Sequence, residues 1–122
     1  MALQLNPALD HAYIDQAYGE DPVILYMIFD AFLSDSIPRW HTLHRALGSG
    51  DLKEAASIVH GLKPSFTMTG LTHVRPKVEV LERAIKDEAP GEELMEMYER
   101  ISVEIDELVP ILESESERLK TI

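Results

Sequence analysis

Within the 122-residue chain, the segment Ser57-Ile58-Val59-His60-Gly61-Leu62-Lys63-Pro64-Ser65-Phe66-Thr67-Met68-Thr69-Gly70 holds the side chains best suited to chemistry. An imidazole in ordinary surroundings titrates near ~6.5, so a neutral, nucleophilic nitrogen is available at neutral pH without a dedicated base. Lys63 follows His60 by about one helical turn, the spacing at which side chains on one helix become neighbours. From there its ammonium, a mobile point charge, can reach the oxygens of a phosphoryl group held on the ring. Phosphoryl transfer passes through a loose transition state in which positioning and charge neutralisation dominate. One nucleophile and one ammonium are then a sufficient contribution from this side. The acyl-phosphate donor and its Mg2+ belong to a partner.

The surroundings of His60 follow from helical geometry at roughly 100° per residue. Leu52, Ala55, Ala56, Val59, Leu62 and Phe66 form an apolar stripe, and His60 lies roughly 110° from its centre, on the flank toward solvent. Ser57, Lys63, Pro64 and Thr67 fall within roughly 60° of His60, with Gly61 and Met68 somewhat further round. Most of these side chains are small. A histidine that must meet an aspartate in another protein needs a bare surround, because bulky neighbours hold the two backbones apart. Ser57, Gly61, Pro64, Thr67 and Met68 are therefore the expected partner-binding surface.

The elements that position this segment read as helices throughout. No run of period-two alternation with β-branched bias stands out, so the expected fold is all-α. Asn6 before Pro7 and Asp21 before Pro22 each place a capping side chain ahead of a proline, predicting a short helix and then a longer one. The longer one carries Leu25, Ile28, Phe29 and Phe32, with Ile37, Trp40, Leu43 and Leu47 continuing its apolar surface. Pro38 requires a kink or restart around Asp35 to Pro38, and Gly48, Ser49 and Gly50 end the element.

Asp51 and Glu54 predict a capping box at the start of the histidine helix, and Gly70 predicts its stop. Thr72 is the expected cap of the next helix, with Pro76 in its first turn and Leu71, Val74, Val78, Leu81 and Ile85 on its apolar stripe. After Ala89, Pro90 and Gly91, a long acidic helix carries Leu94, Tyr98, Ile101, Ile105, Leu108 and Leu112 on one face, with a bend expected at Pro110. The charges from Glu92 to Glu117 fall between these apolar steps and read as its wet face. Short connections favour antiparallel neighbours, so the expected architecture is an antiparallel up-and-down four-helix bundle with a short extra N-terminal helix.

Length and charge bound the function. The length fits one domain with one core, residues 1–122. Eleven basic against twenty-two acidic residues give a net charge of −11, which repels phosphate backbones and anionic lipid head groups, so neither nucleic acid nor membrane is an expected partner. The apolar run Val23–Leu33 is about half the length of a membrane span and contains Asp30. The N-terminus lacks the basic-then-apolar pattern of a signal peptide, and with no cysteine in the chain a cytoplasmic location is expected. His41 and His44 stand close enough to share a metal, but no acidic or histidine pair completes a set, so no metal site is expected. His11 and His73 have no supporting constellation.

The run His60-Gly61-Leu62-Lys63-Pro64-Ser65-Phe66, followed by Gly70, resembles the signature of the histidine-containing phosphotransfer (HPt) domain family. That signature is histidine, any residue, leucine, lysine, a small residue, then serine or alanine, with a glycine further on. The aromatic-rich helix ending near Pro38, the Gly50-Asp51 turn and the Leu81-Glu82 pair extend the likeness over about residues 15–112. Pro64 departs from the glycine many members carry there, and it deprives the His60 carbonyl of its helical amide partner.

The resemblance implies a phosphorelay intermediate without catalytic activity of its own and without a cofactor. It further implies phosphorylation of His60 on the ring nitrogen remote from the backbone. Response-regulator receiver domains and a hybrid histidine kinase are the implied partners of a monomer. Two alternatives stand beside it. A histidine kinase dimerisation helix carries an acidic residue directly after its histidine and needs a glycine-rich nucleotide site, whereas this chain has Gly61 and only scattered glycines. A helical-bundle interaction module that binds receiver domains without being phosphorylated is disfavoured only by the presence of both His60 and Lys63.

Overall fold

The computed structural model describes residues 4–122. Helices account for about 80% of it, in the order α1 (His11–Tyr18), α2 (Pro22–Ala31), a π-helical turn (Phe32–Ser36), α3 (Ile37–Ser49), α4 (Leu52–Met68), α5 (Arg75–Lys86) and α6 (Gly91–Lys120). No strand occurs among the described residues, as the sequence predicts.

Capping chemistry sets most boundaries. The Asp21 carboxylate accepts from the amides of Val23 (3.0 Å) and Ile24 (3.2 Å), satisfying two donors that the first turn of α2 leaves without partners. Asp51 does the same for Glu54 N at the head of α4 (3.1 Å). At the N-terminus the expectation needs correction. Asn6 accepts from Ala8 N (2.8 Å) and closes a turn, while α1 starts at His11 with Asp10 accepting from Tyr13 N (3.0 Å). Asparagine stabilises tight turns by the same side-chain-to-backbone bond that caps helices, and here the turn wins.

Thr72 is likewise not a cap. Its hydroxyl donates to Asp10 Oδ2 (2.6 Å) and α5 begins at Arg75 without a side-chain cap. Together with the bond from Asp10 N to the Gly70 carbonyl (2.9 Å), this fastens α1 to the α4–α5 connection. The Thr72 hydroxyl is also the main reason the Asp10 carboxyl is held below its ordinary value. The interruption predicted before Pro38 takes the form of the π-helical turn, in which the Ile37 amide reaches back to the Phe32 carbonyl. Widening the helix there accommodates a residue that lacks an amide donor. Pro110 causes no break, since α6 runs through it.

The helices bury one continuous core. Leu25, Phe29, Phe32, Trp40, Leu43, Val59, Leu62, Phe66, Val78, Leu81, Ile85, Leu94, Ile105 and Leu112 are all buried in it. Its centre is aromatic. Trp40 stacks on Tyr98 with centroids 5.0 Å apart and meets Phe66 edge-on at 6.1 Å, and Phe66 meets Phe32 edge-on at 5.5 Å. The Trp40 indole donates to Ser102 Oγ (2.9 Å), and the Tyr98 hydroxyl donates to the Trp40 carbonyl (3.2 Å), so the polar atoms of these large rings are satisfied. This cluster joins α3 and α6 to α4 and so fixes the azimuth of the helix that carries His60. α4 also packs against α5 along its other side.

Gly50 and Gly70 close α3 and the α4 turn with φ of +76° and +80°. They differ in surroundings. A Cβ at Gly50 meets nothing within 4 Å, whereas one at Gly70 lies 2.7 Å from Ile14 Cδ1 and 3.3 Å from Asp10 N. Gly50→Ala should cost about 1 kcal/mol, the left-handed penalty alone, whereas Gly70→Ala should cost about 2–4 kcal/mol by adding overpacking against α1. Urea unfolding midpoints of the two variants check this; equal losses would show that Ile14 yields freely.

Candidate functional site

The side chain of His60 is 71% exposed, on the solvent flank where the helical spacing places it. The buried stripe of Ala55, Val59, Leu62 and Phe66 turns inward, and α4 stays helical through Pro64. Proline at that position therefore leaves the helix intact.

The ring is held from the neighbouring helix. His60 Nδ1 lies 3.0 Å from Glu82 Oε2, while Lys63 Nζ donates to Oε1 of the same carboxylate at 2.7 Å, and Lys86 Nζ stands 3.5 Å from Oε2. Glu82 is only 8% exposed and Lys63 17%. Burial pushes the Glu82 carboxyl up, but its bonds to Lys63 and His60 and the charges of Lys63 and Lys86 outweigh that and hold it below its ordinary value. The carboxylate is thus ionised at neutral pH and can only accept, so Nδ1 is the nitrogen that carries the proton. In the neutral ring this leaves the lone pair on Nε2, the nitrogen remote from the backbone. Nε2 makes no hydrogen bond to any described residue.

The remaining predicted surface residues fall into three groups. Ser57 and Pro64 are exposed, as is Met68 at 41%. Thr67 is half-buried and accepts from Arg75 Nη1 (2.7 Å), so α5 already holds its hydroxyl. Gly61 is exposed but lies against the Arg39 guanidinium of α3. The Met68 carbonyl accepts from the Tyr18 hydroxyl (2.8 Å), which ties α1 to the end of α4. Among the described residues no group of three or more potential ligands is placed to hold a metal ion, and no helix is long and apolar enough to cross a membrane.

Sequence reasoning assigned no role to Glu82 or Arg39. For Glu82 a signal existed: it falls on the inward stripe of α5 with Val78, Leu81 and Ile85, where a carboxylate is costly to bury unless something pairs with it. Nothing in local spacing indicated which residues those were. For Arg39 no comparable signal exists, because its approach to Gly61 depends on how α3 lies against α4.

The depressed value of Glu82 makes a statement about stability. A carboxyl whose folded value lies below its unfolded one adds stability that is fully present above about 4.5 and is lost as pH falls through the folded value. Glu82→Gln should therefore destabilise the protein at pH 7 by about 1–3 kcal/mol, with the gap to wild type shrinking at pH 3. Unfolding curves at both pH values measure it, and a gap of constant size would remove ionisation of Glu82 from the account.

A family model for the Hpt domain matches residues 27–115, a span that includes Arg39, His60, Lys63 and Glu82. No curated protein and no solved structure matches the chain. Hpt domains carry out histidine phosphotransfer in two-component signalling, acting as carriers of the phosphoryl group and interacting with receiver domains. The matched span is most of the chain and contains the exposed histidine and the buried carboxylate that lies against it. The chain belongs to the Hpt domain family.

Proposed function

We propose that His60 is the phosphoacceptor of a phosphorelay intermediate, taking a phosphoryl group from the aspartyl phosphate of one receiver domain and passing it to the aspartate of another. The observation that carries this reading is the pairing of an open Nε2 with an Nδ1–H directed at the Glu82 carboxylate. The Nε2 lone pair forms the N–P bond as the P–O bond to the donor aspartate breaks, and the electron pair leaves with that carboxylate. No proton has to depart. The ring becomes a phosphoimidazolium, and its positive charge develops next to Glu82, which stabilises it electrostatically. Transfer onward runs the same step in reverse, with the receiving aspartate as nucleophile.

Lys63 has two roles in this scheme. Bound to Glu82 it fixes the carboxylate under the ring; turned outward it meets the phosphoryl oxygens, as a flexible four-carbon stem allows. Ser57, Gly61, Pro64, Thr67 and Met68 form the surface against which the receiver settles, and the receiver supplies the Mg2+, so the chain itself needs no cofactor. The α2–α3 rod, α4, α5 and α6 make an antiparallel up-and-down bundle with α1 across one end, a reading supported by the short connections at 50–51, 69–74 and 87–90. The chain acts as a single cytoplasmic domain, a monomer charged from a hybrid histidine kinase.

His60→Gln should abolish phosphate uptake from a phosphorylated receiver domain while leaving the fold unchanged, because an exposed side chain contributes little to stability. Lys63→Ala should slow uptake by about 10–100-fold without eliminating it, since the nucleophile remains. The readout is acid-labile, base-stable phosphate on this chain. Uptake by His60→Gln would move the acceptor to another histidine. Receiver binding by the wild-type protein without any phosphate would favour an interaction module.

A further inference from the structure

Gly61 lies under a side chain from another helix. A Cβ at Gly61 would stand 3.3 Å from Nη2, 3.6 Å from Nη1 and 3.9 Å from Cζ of Arg39, so the guanidinium lies across the bare backbone of the residue next to His60. Arg39 is exposed, and its guanidinium makes no hydrogen bond or ion pair to any described residue. That is notable in a chain with twenty-two acidic and eleven basic residues. Lys63, by contrast, faces the Glu82 carboxylate at 2.7 Å and is already matched in charge. The unmatched cation beside the acceptor is therefore Arg39.

A hollow of about 350 Å³ between α3 and α4 adjoins this position. Arg39, Arg45, Thr42 and Ser49 line it, with Glu54 as the one carboxylate among its lining residues, so this shoulder is cationic on an otherwise acidic protein. An incoming phosphoryl group with its negative charge is drawn to such a place.

We propose that Arg39 is a second phosphoryl-binding residue: when His60 carries phosphate, the guanidinium turns from Gly61 and forks its N–H groups onto the phosphoryl oxygens from the α3 side. This rests on His60 being the acceptor. Guanidinium offers five donors in a planar fork that matches phosphate oxygens two at a time, which a lysine cannot do. Gly61 then has a reason to be glycine. Any Cβ there crowds the resting position of the guanidinium, and the flat backbone leaves it free to turn.

The test charges wild-type protein, Arg39→Ala and Arg39→Lys with phosphoramidate, a small donor that needs no partner, and separately with a phosphorylated receiver domain. Phosphorus NMR of the phosphohistidine, uptake rates and thermal midpoints are then compared. Arg39→Ala should shift the phosphohistidine resonance and lower uptake from the receiver at least ~10-fold at an unchanged midpoint, with Arg39→Lys only partly restoring it. Wild-type resonance and rates in a phosphorylated Arg39→Ala protein overturn the proposal, as does slowed uptake with an unmoved resonance and a lowered midpoint, which makes Arg39 structural. No phosphohistidine on the wild-type protein with either donor overturns the His60 reading and this one together.

Discussion

A single buried carboxylate holds the site together. Glu82 reaches from α5 to two side chains of α4, and each of its oxygens has a defined partner: Oε2 the imidazole of His60, Oε1 the ammonium of Lys63. Burying an unpaired carboxylate costs several kcal/mol, on the order of the whole net stability of a small domain, so the inward position of Glu82 is tolerable only because these partners exist. The dependence runs both ways. The ring has its tautomer and orientation because the carboxylate is ionised, and the carboxylate stays ionised because cations surround it.

That arrangement requires α4 and α5 to keep a fixed spacing and a fixed rotation about their axes. The apolar stripes supply the first and the aromatic centre the second. Trp40 bonds Ser102 through its indole, stacks on Tyr98 and meets Phe66, so a rotation of α4 disturbs ring contacts with α3 as well as the Glu82 bridge. Close-packed interiors move between discrete arrangements and do not deform smoothly. His60 is consequently exposed without being loose, which suits the phosphoacceptor role proposed for it.

The sequence reveals what depends on local spacing. The stripe through Val59, Leu62 and Phe66, the exposure of His60, the Asp21 and Asp51 caps and the Gly70 stop all follow from periodicity and turn chemistry within a few residues. Tertiary pairings are where that legibility ends. Thr72 bonds Asp10 and does not cap α5, and Asn6 closes a turn, because a short polar side chain satisfies whichever backbone or partner the fold brings to it. The Glu82 bridge spans two helices, and the approach of Arg39 to Gly61 depends on a crossing that no single-helix pattern encodes. Half of the site is therefore visible in sequence as a histidine and a lysine on one helix; of the half contributed by α3 and α5, only the Leu81-Glu82 pair stands out, without its partners.

The π-helical turn at Phe32–Ser36 sets the rotational phase of everything that follows it in the same rod. One residue more or less in a helix turns the downstream part by roughly 100°. At that angle Leu25 and Leu43, eighteen residues apart, fall on the same side of an unbroken helix, and with Phe29 and Trp40 they are buried in one core, so the wide turn takes up Pro38 without moving the apolar stripe. A residue added or removed at this point, with no substitution near His60, would turn Arg39 and Trp40 together, so the charge that lies against Gly61 and the aromatic centre of the core depend on one and the same chain length.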